Sequence, residues 1–313
     1  MKSAVFSGER LKNARLIRAL TLTELANRTG ISKQSLSVYE NTTDGRMDFE
    51  KVQILARALD FPTDFFFQQD RIRALTEVTY FRSLASATKM NQVSQGKKLD
   101  FVAKMYEVLL EYIDFPQLNL PKVEFVGADD EFDEAATNVM KRQIEQIASS
   151  VRNYWGVGNA PITNLQLLLE KNGIIITGFD TFEDKIDAFS QRTIVSGNDV
   201  YIIAVALGQR PEGRIYFDMA HELGHILLHP WSESLDLITK EEFKARERQA
   251  NMFASAFLLP DIGFGNELKE YNAYVTDLKF YQALKKKWKA SIQAMLYRSH
   301  DLGAITDNQY QSP

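Results

Sequence analysis

The stretch "RIYFDMAHELGHILLHP", residues 214–230, places three of the chain's four histidines within nine residues. It reads as a helix carrying His221-Glu222-Leu223-Gly224-His225, the pattern H-E-x-x-H. Residues four apart share a helical face, so both imidazoles can reach one metal ion. Glu222 points about 100° round the helix, where it can take a proton from metal-bound water instead of binding the metal. That is the arrangement of a zinc hydrolase: zinc lowers the pKa of its water to about 7 and polarises the scissile carbonyl, while the glutamate acts as general base. A buried helix can also hold this spacing by coincidence, so the rest of the chain has to decide.

His229 continues the row of histidines but lies about 12 Å from His221 along a helix axis, too far to share one ion. It reads as a cap on the helix end before Pro230, favoured there as a cation, with transition-state stabilisation a weaker alternative. The chain contains no cysteine, so a further ligand must be a histidine or a carboxylate. In "TKEEFKARERQANMFASAFLLP", residues 239–260, Thr239 and Glu242 have capping-box spacing. Glu247 falls there on the apolar stripe of Phe243, Ala250, Ala254, Phe257 and Leu258. A carboxylate facing a core is costly unless it is paired or bound to a metal. The predicted site is therefore His221, His225 and Glu247 around a zinc ion, with Glu222 as base. Asn251, one turn beyond Glu247, is placed to hold a ligand histidine by its second ring nitrogen. Pairing of Glu247 with Lys240, Arg246 or Arg248 is the plainer alternative.

Composition agrees with such a chain. Of 313 residues, 45% are apolar and 25% charged, as in globular proteins. The longest apolar runs are strand-length, well short of the roughly 20 residues that cross a bilayer. The N-terminus shows no apolar signal core, and the lack of cysteine fits a reducing compartment, so a cytoplasmic protein without a membrane anchor is expected. The net charge of −4 is uneven, since residues 1–68 hold ten Lys/Arg against eight Asp/Glu. A mildly basic N-terminal unit on an acidic body hints at local DNA contact.

The first 68 residues read as short helices. "TLTELANRTG" carries a capping box at Thr21 and Glu24 and stops at Gly30, and Ser32 caps the helix that follows. "DFEKVQILARAL" is a fourth helix, and the aromatics of "FPTDFFF", residues 61–67, seal the core or begin an interface. An amphipathic helix over 97–113 and an extended, proline-containing acidic stretch over 115–133 form a connector. Helices are then expected at 134–155 and 163–172, strands at 173–179 and 200–207, and helices at 240–258 and 279–299. Strand 200–207 has the place of the sheet edge on which zinc peptidases lay extended peptides, although an ordinary core strand would read the same.

The motifs "NAPITNLQLLLEKNGIIITGF", "RIYFDMAHELGHILLH" and "RERQANMFASAFLLP", with "KKKWKASIQAMLYRSHDLGAI" beyond them, resemble the ImmA/IrrE metallopeptidase family over about residues 134–300. The resemblance implies a zincin-like fold, zinc ligands His221, His225 and Glu247, catalytic Glu222, and repressors of the Xre type as substrates. Gln249 departs from it, since many relatives have a second glutamate there. "LTLTELANRTGISKQSLSVYEN", residues 20–41, resembles the Xre/Cro-type helix-turn-helix. That implies a third helix in the major groove, with Lys33, Gln34 and Val38 facing base edges and Ser35 and Ser37 facing phosphate. It also implies a partly buried ion pair between Arg15 and Glu40. Leu22 departs from a common DNA-contacting glutamine. Use of the helix-turn-helix for protein contact alone is the competing reading.

The expected fold is α+β and mostly helical. An all-α helix-turn-helix domain covers residues 1–68, a helical connector and linker 69–133, and a zincin-like metallopeptidase domain with a small sheet 134–313. The expected function is a transcriptional regulator that binds a double-stranded DNA operator, as a homodimer. Its zinc-dependent endopeptidase domain would act on an Xre-type repressor or on the chain itself. A repressor whose metallopeptidase-like part is a non-proteolytic sensor or partner-binding module is the alternative, and an antitoxin-like DNA-binding partner a third.

Overall fold

The computed structural model describes residues 5–42, 47–67, 75–81, 88–125, 134–180, 187–208, 210–231 and 238–311. The acidic run at 126–133 and parts of the connector at 68–74 and 82–87 lie outside the described residues. The chain forms two compact units. One comprises Met1–Leu75, Ser83–Ile113 and Val195–Gly197; the other comprises Thr76–Arg82, Asp114–Ile194 and Asn198–Pro313. The break after Ile113 falls inside the stretch read as connector and linker.

The first unit contains α1 (Gly8–Ile17), α2 (Leu22–Thr29), α3 (Lys33–Asn41), α4 (Phe49–Leu59), a 3₁₀ turn (Thr63–Phe67) and α5 (Lys89–Leu109). Its helices start where side-chain oxygens replace missing backbone acceptors. Thr21 and Glu24 form the full reciprocal capping box of α2, and Ser32 and Asp48 cap α3 and α4. Gly30 ends α2 in the left-handed conformation at φ 70°. Leu11, Ala14, Leu25, Leu36, Val52, Leu55 and Phe66 make a separate buried core, so Phe66 and its neighbour Phe65 seal the unit. Gly8 begins α1 against the end of α3; a Cβ there would lie 2.2 Å from the Tyr39 carbonyl oxygen. The Arg15 guanidinium meets the Glu40 carboxylate through two bonds of 2.6 and 2.7 Å, both side chains buried, and so ties α1 to α3. The helix expected at 97–113 begins earlier, at Lys89, and buries Leu99 and Ala103.

The second unit contains α6 (Glu134–Tyr154), α7 (Leu165–Lys171), α8 (Glu212–Leu228), α9 (Lys240–Leu258), α10 (Asp261–Glu270), α11 (Leu278–Trp288) and α12 (Ile292–Asp301). Its sheet has four strands, β1 (Leu75–Phe81), β2 (Ile175–Asp180), β3 (Ala188–Val195) and β4 (Asn198–Leu207), in the order β1-β3-β4-β2. β2 runs parallel to β4 with Ile175 opposite Ile202. Ser196 and Gly197, at φ 51° and 82°, connect β3 to β4 with the two left-handed residues of a tight hairpin. β4 is therefore interior, which corrects its reading as the edge strand. Its burial is unbroken from Ile202 to Ala206, as in a strand covered on both faces.

Two further corrections concern helices. The single helix expected at 279–299 is two, broken where Lys289 turns left-handed at φ 53° and Ser291 caps α12. The start of α8 packs on this break: a Cβ on Gly213 would lie 2.9 Å from the backbone of Ala290 and Ser291. Thr239 does cap α9, accepting from the Glu242 amide at 3.1 Å, but the Glu242 side chain pairs with Arg246. The described part of the linker is extended but anchored. Leu120, Val123 and Phe125 pack on the core of this unit, and Asn119 donates its amide to the Asn172 carbonyl at 3.0 Å. Among the described residues, no helix is long and apolar enough to cross a membrane.

Candidate metal centre

α8 is the buried spine of the second unit, with every residue from Asp218 to Ile226 buried. α9 lies against it at Gly224, where a Cβ would stand 3.1 Å from Ala250 Cα and 3.2 Å from the Phe253 ring. The glycine inside the H-E-x-x-H pattern thus permits a close helix pair. Closeness matters because Glu247 sits one turn before Ala250. Its carboxylate oxygens lie 3.4 Å from His221 Nε2 and 3.1 Å from His225 Nε2, and the two Nε2 atoms are 3.0 Å apart.

These three ligand atoms lie within 4.8 Å of one another, which fits a single cation. Two imidazole nitrogens and one carboxylate oxygen are a donor set suited to zinc. The second nitrogen of each imidazole is occupied: His221 Nδ1 donates to Asn251 Oδ1 at 3.0 Å, and His225 Nδ1 lies 2.9 Å from His229 Nδ1. Burial pushes the Glu247 carboxyl up, but the hydrogen bonds from His221 and His225 outweigh it and hold the pKa down to about 2. The partners described for Glu247 are His221 and His225, and Arg246 pairs with Glu242.

Glu222 is fully buried on the same helix, and Ser190 Oγ on β3 donates to its Oε2 at 2.6 Å. Ser190 was missed at the sequence level, because nothing in "AFSQRTIV" distinguishes it from a solvent-facing serine. His229 departs from its expected role. It is the C-cap residue of α8 by position, yet its side chain is buried and bonds Gln249 Oε1 at 3.0 Å through Nε2. Burial, with His225 beside it, pushes its pKa well below the usual imidazole range, so it is neutral and no cationic cap. The row of three histidines was the available signal, and Gln249 the second half of it.

In the first unit, Lys33, Gln34 and Val38 stand exposed on α3, Val38 at 61% of its surface. An exposed valine one turn after an exposed glutamine is what a helix reading base edges and thymine methyls presents. Ser35 and Ser37 are half-buried, and Ser35 Oγ lies 2.9 Å from Ser32 Oγ at the helix start.

The two halves define a class of protein, a helix-turn-helix unit joined to a helix-centred H-E-x-x-H unit. More particularly, residues 8–71 match the family described as a helix-turn-helix domain, and residues 174–300 match the peptidase family described as IrrE N-terminal-like domain. The chain thus carries a helix-turn-helix domain at its N-terminus and an IrrE-like domain at its C-terminus. A Mycobacterium tuberculosis transcriptional regulator is similar at 20% identity and a TM-score of 0.34, over 50% of this chain. The match spans 46% of that structure, less than half its length. None of the curated proteins matches the chain.

Proposed function

We propose that the chain is a transcriptional regulator whose IrrE-like domain is a zinc-dependent endopeptidase acting on an Xre-type repressor or on the chain itself. The observation that carries this is the convergence of His221, His225 and Glu247 beside Glu222, with each ligand imidazole held through its far nitrogen. Zinc bound to these three side chains would supply Lewis acidity to a carbonyl and acidity to a water. Glu222, oriented by the Ser190 hydroxyl, takes the proton of the attacking water and returns it to the leaving amine. Intact-mass analysis of the purified chain, with and without zinc, alone and mixed with Xre-type repressors, tests the reading. A zinc-dependent product supports it, and intact chains throughout contradict it.

One observation favours the sensor alternative. A cavity of about 600 Å³ is bordered by Arg214, Phe217, Arg248, Tyr297 and Tyr310, and Asn251, which holds His221, also lines it. A small molecule there would touch a residue that orients a ligand. Metal dependence without any product moves the assignment to this alternative.

On the DNA side, Lys33, Gln34 and Val38 read bases. Gln34→Ala is expected to weaken operator binding by about 1–3 kcal/mol and to leave non-specific binding nearly unchanged. Titration of both DNAs at one salt concentration checks this, and an equal loss on each would remove Gln34 from base reading. A dimer on half-sites about one helical turn apart is the expected bound form. Met105, Val108 and Leu109, exposed along α5, supply an apolar face for it. Met105→Glu is accordingly expected to shift the chain toward monomer in sedimentation, with the α-helical signal retained; an unchanged dimer would place the contact elsewhere.

A further inference from the structure

The sheet of the second unit takes its outermost strand from far back in the chain. β1 (Leu75–Phe81) precedes α5 and α6, whereas β2, β3 and β4 follow one another between Ile175 and Leu207. In the order β1-β3-β4-β2, β1 is hydrogen-bonded along the outer edge of β3. β3 is the strand that carries Ser190, whose Oγ donates to Glu222 Oε2 at 2.6 Å. A strand paired with β3 therefore runs about 4.8 Å from the backbone that orients the general base. β3 also differs in composition from its inner neighbour. β4 buries Ile202, Ile203, Ala204, Val205 and Ala206, all apolar, whereas β3 buries Ser190, Gln191 and Thr193, each at 0% exposure. Polar side chains are costly to bury unless they are bonded, and they suit an edge that water or another backbone reaches.

We propose that the outer edge of β3 is the docking edge for an extended segment of a protein substrate, and that β1 occupies this edge in cis as a removable stand-in. The proposal rests on the endopeptidase reading for its purpose, though not for the pairing itself. Extended peptides bind a sheet edge through main-chain hydrogen bonds, which ask little of their sequence. One edge holds one strand, so β1 and a substrate segment exclude each other. The tether weights this competition. A segment of the same chain acts at an effective concentration on the order of 1 mM. A free peptide that binds the bare edge with a Kd of about 0.1 mM is then weakened about 10-fold, since the factor is one plus the ratio of the two. In chain order β1 stands between the 3₁₀ turn at Thr63–Phe67 and α5, both of the first unit. The occupant is thus drawn from the connector that follows the helix-turn-helix residues, and a substrate reaches Glu222 along β3 only when that connector releases it.

Proline cannot donate to a ladder, and successive residues of a strand turn their N–H groups alternately toward and away from one partner. One of Val78→Pro and Thr79→Pro therefore breaks a bond to β3, whichever way β1 is set. The probe is the acetylated peptide of β1 itself, LTEVTYF, added to each full-length chain. Hydrogen exchange over Ala188–Val195 reads the edge, and fluorescence anisotropy of the labelled peptide reads its affinity. In one proline variant the β3 amides are expected to exchange faster while α8 and α9 stay protected. That variant is expected to bind the peptide at least about 10-fold more tightly than the unmutated chain does, and bound peptide to restore the protection of β3. Where a repressor is cut, the released variant is expected to cut it about 10-fold faster. Equal peptide binding by the unmutated chain and both variants, or none by any of them, would overturn the proposal. Loss of α8 protection in both variants would overturn it as well, because β1 would then be an integral strand of the core and not an occupant. Peptide binding as expected, with no zinc-dependent product from the released variant and any Xre-type repressor, would instead remove the endopeptidase reading and leave the docking edge standing.

Discussion

Glu222→Gln is expected to retain zinc and to lose hydrolysis by about 100- to 10,000-fold, the range that a positioned general base contributes. The two effects separate because Glu222 is not among the three side chains that converge. Glutamine preserves the volume of this fully buried side chain and can still meet the Ser190 hydroxyl, but its amide cannot accept the water's proton. His221→Ala and Glu247→Ala are expected to lose metal and activity together. Operator binding should survive all three changes, since the helix-turn-helix unit has its own hydrophobic core. Metal content and product mass, measured on the same preparations, check the whole pattern. Zinc lost from Glu222→Gln but kept in Glu247→Ala would exchange the roles assigned to the two carboxylates.

The second large effect lies in the other unit. Glu40→Ala removes one partner of a buried bidentate pair and leaves the Arg15 guanidinium with the Leu20 carbonyl, 2.7 Å away. Breaking a buried pair from one side costs about 3–5 kcal/mol, because an uncompensated charge remains in the interior. A small domain has about 5 kcal/mol in total, so the helix-turn-helix unit is expected to keep at most about 2 kcal/mol and to populate its unfolded state measurably at 37 °C. Hydrogen exchange should show reduced protection over residues 8–67 and normal protection over α8 and α9. Operator binding should be weakened. Replacing both partners, Arg15→Met with Glu40→Leu, is expected to recover most of the stability, as apolar substitutes for buried ion pairs commonly do. Equal stability of Glu40→Ala and the unmutated chain would mean that the pair contributes nothing, despite its geometry.

The sequence was most legible where chemistry and helical period coincide. His221 and His225 four residues apart, Glu247 on an otherwise apolar stripe, and Asn251 one turn later each announce a site through a pattern confined to one helix, and the fold brings them together as read. Arg15 and Glu40 were legible through resemblance, and the capping box of α2 through spacing alone. What escaped depends on partners distant in sequence. β3 carries Ser190, Gln191 and Thr193, all buried, so its alternation of polar and apolar residues does not mark a strand with one wet face. Without β3, β4 had no second neighbour and read as an edge, although "SGND" contained the Ser-Gly signal of a hairpin. The break in the C-terminal helix at Lys289, on which α8 packs at Gly213, had a local sign in Ser291, the N-cap of α12, that was passed over. His229 stands outside the three converging side chains as read, but it was misread as a cationic cap because its burial and its partner Gln249 come from another helix. That error hid the contact with Gln249, the residue whose departure from its relatives was the one sign that something stood there.

The most direct test of the account is the zinc content of the metal-free chain after reconstitution and desalting, compared with that of Glu247→Ala prepared in parallel. Glu247 is the ligand that comes from the second helix, so it is the part of the centre that depends on the fold and not on the H-E-x-x-H pattern alone. The account predicts one zinc per unmutated chain and near-complete loss in Glu247→Ala. An unmutated chain that takes up no zinc, or a Glu247→Ala chain that holds it as firmly, would contradict the assignment of His221, His225 and Glu247 as a metal centre.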